Sequence, residues 1–270
     1  MTWAAFSPQA DRNIRFRTVT TLCRVEIAPC MTPTLPDVPK VEIAIIEMTN
    51  AFRREHKLGE VRPSPALARA AHAYADYLAR SGTFSHTADG REPSARAESA
   101  GYQFCQIAEN LALNLDSRGF EARALASQAV EGWKNSPGHR KNLLAPHVVE
   151  IGVGVARAPD KDPKYISVQL FGRPKSMVYQ FKVANVSAAT VSYSFGGETH
   201  ALKPRFAATH SACVPDEIAF MAPETAKPQQ PLKVRYTARD GQVYTLKPAG
   251  AGGLTLEVSE SEGAKPRAAR

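Results

Sequence analysis

The chain has 270 residues, 43% of them hydrophobic and 22% charged, a composition that supports more than one buried core and excludes a disordered or fibrous chain. Its net charge of +8 divides into excesses of +1, +4 and +3 over residues 1–37, 38–175 and 176–270, so it reads as a thinly spread basic surface and nucleic acid is not an expected partner. No run approaches the ~20 apolar residues that span a bilayer as a helix, so the chain is not expected to be transmembrane.

Residues 1–38 lack periodicity and end in the proline-rich TPTLPDVPK, the pattern of an N-terminal tail and linker. Their first part carries Asp11, Arg12, Arg15 and Arg17 and offers no apolar run of the kind that marks a secretory signal. From Val41 the apolar positions Val41, Ile45, Met48 and Phe52 recur at helical spacing and stop before Gly59. A second helix follows, with Ser64 as cap, Pro65 in its first turn, Leu67, Ala71, Tyr74 and Leu78 as its buried stripe, and Gly82 as its end. A short helix is predicted over Pro93–Ala100 and a longer one over Phe120–Trp133, turning Ala122, Leu125, Ala129 and Trp133 inward. Pro137-Gly138 marks a bend between two helical stretches.

The period then changes. EIGVGVA (150–156) and YISVQLFG (165–172) alternate and flank the turn-forming APDKDPK, which predicts a β-hairpin. Beyond Pro174 the segments YQFKVANV, TVSYSF, PLKVRYTA and VYTLKP predict a small antiparallel β domain, residues 176–260, followed by a disordered tail, 261–270. The four cysteines, Cys23, Cys30, Cys105 and Cys213, form no CxxC metal knuckle. Cys105 and Cys213 either bridge the two domains or remain two buried free thiols.

Three segments carry chemistry: FSHTADGR around His86, AENLA around Glu109, and VEGWKNSPGHRKNLL with Glu131, Trp133, Ser136 and His139. In this order, followed by EIGVGVA and QLFG, they resemble the bacterial branch of the CAP superfamily (cysteine-rich secretory protein, antigen 5, pathogenesis-related; the SCP-like extracellular domain) from about Val41 to Gly172. The resemblance implies an α/β fold, a three-layer α-β-α CAP sandwich over 39–175, followed here by the small all-β domain. It also implies an extracellular or cell-envelope location and a central cleft lined by two histidines and usually two glutamates.

Carried over residue by residue, the cleft candidates are His86, Glu109 and His139. The place of the second glutamate, three residues after the helix tryptophan, holds Ser136, and Glu131 lies on the opposite side of the same helix; both complete the set of candidate cleft residues. Two imidazoles and one carboxylate make a three-ligand set, His86, His139 and Glu109, that could hold a divalent metal such as zinc weakly; no permanent cofactor is expected. Glu109 admits another reading, a buried acceptor of backbone N–H groups. Trp133 belongs to the core, and His56, His72, His147, His200 and His210 are read as structural histidines.

Three functions compete. A binding module would take a lipid, sterol, peptide or cell-wall ligand, a small apolar molecule or a cell-surface component, in the cleft. If the chain is an enzyme it is a hydrolase, with His139 activating Ser136 and Glu109 orienting the imidazole, or with a histidine-bound metal activating water; neither GxSxG nor HExxH is present. A structural or adhesion protein would dock through the β domain.

Overall fold

The computed structural model describes residues 33–221, 234–250 and 253–261. Cys23, Cys30 and nearly all of the expected tails, at 1–38 and 261–270, lie outside these residues.

The first helix, α1 (Val38–Glu55), starts three residues before the sequence pattern placed it. The Asp37 side chain accepts from the Lys40 backbone N–H, and Pro39 occupies the first turn, where its missing N–H loses no helical bond. The end of the expected linker is therefore helix. After the two-residue strand β1 (Arg62–Pro63) come α2 (Pro65–Ser81), ended by left-handed Gly82, and α3 (Pro93–Ser99). The twelve-residue strand β2 (Phe104–Leu115) went unpredicted. Helices α4 (Ala122–Asn135) and α5 (Pro137–Leu143) break at Ser136, and the predicted hairpin is present as β3 (Glu150–Arg157) and β4 (Lys164–Pro174).

These strands make one sheet in the order β1-β3-β4-β2, parallel only where β1 meets β3. Strand alternation divides their side chains between two cores. Ile151, Val153, Val155, Tyr165 and Phe171 pack under α1 and α4 with Ile45, Phe52, Leu125 and Trp133. Leu111, Ile166, Val168 and Leu170 pack under α2 and α3 with Leu67, Tyr74 and Leu78. This is the three-layer α-β-α sandwich, each fully buried large apolar side chain contributing ~1.5–3 kcal/mol.

Glycine permits the closest approach between layers. A Cβ on Gly152 would lie 2.2 Å from the Leu67 carbonyl carbon, and one on Gly154 would lie 2.3 Å from the His72 backbone nitrogen. The GVG repeat therefore lets α2 rest directly on the backbone of β3.

The second region comprises two four-stranded sheets. One joins β5 (Tyr179–Asn185), β8 (Ala207–Ala212), β11 (Gln242–Pro248) and β12 (Leu254–Glu260); the other joins β6 (Val191–Phe195), β7 (Glu198–Leu202), β9 (Glu217–Met221) and β10 (Val234–Thr237). Phe181, Val183, Tyr193, Phe220, Tyr244 and Leu246 fill the core that they share. One pairing departs from the antiparallel expectation: β5 and β11, far apart in the chain, run parallel. Cys105 sits at a register shift in β2 and is bridged to Cys213. A bulge of this kind re-aims a side chain out of the strand's alternation. The Arg173 guanidinium reinforces the junction by donating to the Cys213 carbonyl at 2.7 Å and the His147 carbonyl at 3.0 Å.

Candidate functional site

Strand β2 is the edge of its sheet, and consecutive residues on it face opposite layers. Glu109 turns toward α3 and Asn110 toward α5. The site grows from this pair.

The Glu109 side chain is 1% exposed, and both its oxygens are engaged. Oε2 accepts from Arg96 Nη2 at 2.9 Å, and Oε1 accepts from His86 Nδ1 at 2.8 Å. Burial lifts the Glu109 pKa above the usual carboxylate range, while His86 and Arg96 hold it partly back. Arg96, itself buried, also donates to the His86 carbonyl (2.9 Å), the Arg91 carbonyl (2.7 Å) and Asp89 Oδ1 (2.9 Å), and its guanidinium lies 3.4 Å from the Tyr74 ring centroid. Tyr74 and Tyr77 hydroxyls bond the backbone of Ser85 and Ala88. The loop that carries His86 is thus fixed through both its main chain and its ring. Its Nε2 has no partner among the described residues, and its side chain is about half exposed.

On the other face, an amide network places α5. Asn110 Nδ2 donates to the His139 carbonyl (3.3 Å) and to Gln169 Oε1 (3.0 Å), Asn142 Nδ2 donates to Asn110 Oδ1 (2.9 Å) and the Glu109 carbonyl (3.0 Å), and Gln169 donates to Thr49 Oγ1 (2.9 Å). Arg53, fully buried on α1, donates to the carbonyl of Leu143 (2.8 Å), one of the C-terminal groups that a helix leaves unpaired, and to that of Ala145 (2.9 Å) just beyond α5. Trp133 is core, as expected, with its indole N–H on the Leu111 carbonyl at 2.9 Å. Burial, and then the charge of His86, lower the His139 pKa.

A cavity of about 310 Å³ opens beside this arrangement, lined by His86, Glu92, Pro93, Ser94, Ile107, Ala108 and Glu109. His139, Ser136 and Glu131 are not among its walls. Ser136 sits between α4 and α5 and makes no side-chain cap bond, and its hydroxyl has no hydrogen bond to His139 among the described contacts. Glu131 is on the solvent side of α4, paired with Lys134 at 2.8 Å, and does not join the site. Glu109 accepts from side chains rather than from the backbone N–H groups that the sequence left open as an alternative.

The weak metal set His86, His139 and Glu109 does not fit either. Among the described residues no group of three or more His, Cys, Asp and Glu is placed to hold a cation. A guanidinium on one Glu109 oxygen and an imidazole N–H on the other occupy the carboxylate that a metal would need. Arg96 escaped the sequence reading because nothing local separates it from Arg91, which is half exposed.

Residues 46–171 match the sequence profile of the cysteine-rich secretory protein family (CAP). The chain carries a CAP domain. Among curated relatives, the uncharacterized membrane protein YlbC of Bacillus subtilis is 32% identical over 117 residues, 43% of this chain and 32% of that protein. The uncharacterized protein YkwD of the same bacterium is 29% identical over 118 residues, 43% of each chain. The chain thus spans less than half the length of either relative. Among solved structures, an outer surface protein of Borrelia burgdorferi is 25% identical, with a TM-score of 0.42 over 48% of this chain and 90% of that one. Among the described residues no helix is long and apolar enough to cross a membrane.

Proposed function

We propose that the CAP domain is a recognition module of the cell envelope or exterior, taking a small hydrogen-bonding ligand, a peptide or a cell-wall fragment, in the cavity beside His86 and Glu109. The observation that carries this reading is the Arg96–Glu109–His86 relay, in which a buried, charge-paired carboxylate fixes the imidazole at Nδ1 and leaves Nε2 to meet a ligand. Few, pre-positioned polar groups in a concave site are what recognition requires. A cavity of about 310 Å³ lies near the lower end of the ~300–1,000 Å³ common for small-molecule sites, which favours a peptide or sugar fragment over a sterol.

Recognition is favoured over hydrolysis because Ser136 and His139 lack the nucleophile-to-base hydrogen bond that activates a hydroxyl. The Cys105–Cys213 bridge supports the location, since structural disulfides persist in oxidising compartments. Titrating the protein calorimetrically with soluble cell-wall fragments and short peptides, with NMR shifts of the wild-type His86 ring locating the site, tests the reading. Saturable binding that weakens at least about tenfold in His86→Ala is expected. No saturable binding across the panel, or equal affinity in the variant, overturns it.

A further inference from the structure

A second and larger concavity, about 570 Å³, lies between α2 and α3, and nothing in the His86 site accounts for it. Its walls include Arg69, Arg80, Arg91 and Arg96 against one carboxylate, Asp89. Asp89 already binds Arg96 Nη1 at 2.9 Å and Arg91 Nε at 3.1 Å; burial works to raise its pKa, yet the Arg91 backbone N–H and the two guanidiniums together bring it below the ordinary value. Arg69 donates only to the neutral Ala100 carbonyl at 2.9 Å, and Arg80 makes no ion pair among the described residues. The pocket therefore holds more cationic than anionic charge, in a concavity whose walls reduce solvent screening.

A further observation points to what it takes. Tyr74 and Tyr77 stack at 6.3 Å with their rings 8° apart; Arg96 covers Tyr74, whereas Tyr77 is 36% exposed. A guanidinium cluster suits a head group with several anionic oxygens, since each fork binds two of them in parallel. The open Tyr77 ring suits a flat apolar body beside that head.

We infer that this pocket between α2 and α3 binds a small organic anion, a phosphate or carboxylate joined to an aromatic body, with Arg69 and Arg80 holding the head and Tyr77 the ring. The pocket shares Arg96 and Tyr74 with the surroundings of His86, so its test is placed on Arg69 and Arg80, which the His86 relay does not include, and its failure is distinguishable from that of the proposed function. The probes are phenyl phosphate, inorganic phosphate and neutral benzyl alcohol, titrated calorimetrically into the full chain at low salt. Phenyl phosphate should bind saturably, more tightly than inorganic phosphate, and weaken as salt is added; benzyl alcohol should not bind. The double variant Arg69→Gln/Arg80→Gln, altered only at exposed positions, should lose at least about tenfold in affinity with its thermal midpoint unchanged. Should that variant be unstable, Arg80→Gln alone should lose about threefold or more. Undiminished affinity in a folded variant overturns the inference, as does equal binding of inorganic and phenyl phosphate.

Discussion

Arg96→Met removes the guanidinium from Glu109 while roughly filling the space it occupied. The side chains of Arg96 and Glu109 are 3% and 1% exposed, so the variant strands a carboxylate away from water. Breaking a buried ion pair from one side costs about 3–5 kcal/mol, and Asp89 adds little to that because Arg91 still neutralises it. For a domain of this size that amounts to a fall of roughly 6–20 °C in melting temperature.

The penalty should depend on pH in a definite sense. Glu109 has a folded-state pKa above its ordinary value, so the native fold holds its proton more tightly than the unfolded chain does. Its ionisation weighs against the fold at neutral pH, and that cost shrinks as pH falls through the raised value and is gone below the ordinary carboxylate value. Without Arg96, which lowers this pKa, the effect grows, so Arg96→Met should recover much of its lost stability as pH falls from neutral toward the ordinary carboxylate value. Urea unfolding followed by tryptophan fluorescence, for Arg96→Met, Glu109→Gln and the double variant, supplies the measurement. The double variant should be more stable than the sum of the singles predicts by about 1–3 kcal/mol. A cost under about 1 kcal/mol for Arg96→Met at neutral pH, or no coupling between the two sites, would falsify the relay.

Other changes test how the layers are held. Gly154→Ala drives a methyl group into the α2 backbone and should cost at least about 1–3 kcal/mol by chemical denaturation, whereas Gly132→Ala, exposed within α4 with open space around it, should stabilise by about 0.5–1 kcal/mol. Replacing Cys105 and Cys213 by Ala opens a closed loop with a sequence separation of 108, and chain entropy sets the loss at about 4–5 kcal/mol; two thiols titrating without reductant in a Cys23→Ser/Cys30→Ser background would contradict the bridge. Burial and His86 hold the His139 pKa below 6.5, so the native fold resists protonation. Stability should therefore fall as pH drops from about 6.5 toward that lowered value, and His139→Gln should flatten this part of the profile; an unchanged profile contradicts the assignment.

Much of this architecture is legible in the chain because helical stripes and strand alternation record which face is buried. Val41, Ile45 and Phe52 mark α1 and Leu67 to Leu78 mark α2, each with the face observed, and EIGVGVA marks β3, which is buried on both faces. Strand β2 was missed because Glu109, Asn110 and Asn114 interrupt its apolar pattern, and two of those are the polar groups the site needs. His86 and Glu109 were legible as a pair through their motifs. Arg96, Asn142 and Gln169 were not, since their partners lie 13, 32 and 59 residues away and no local pattern marks a polar side chain destined for burial. Helix geometry had already set Glu131 opposite Ser136, and its carboxylate pairs with Lys134 on the exposed side of α4.

The tautomer of His86 reports the relay most directly. Long-range proton–nitrogen NMR at about pH 8, where an ordinary imidazole is neutral, distinguishes a ring protonated at Nδ1 from one protonated at Nε2. With Glu109 accepting from Nδ1, the wild-type ring should carry its proton there and Nε2 should be bare, and Glu109→Leu should return the ring to a mixture. A wild-type ring protonated at Nε2 would contradict the arrangement on which the proposed binding site rests.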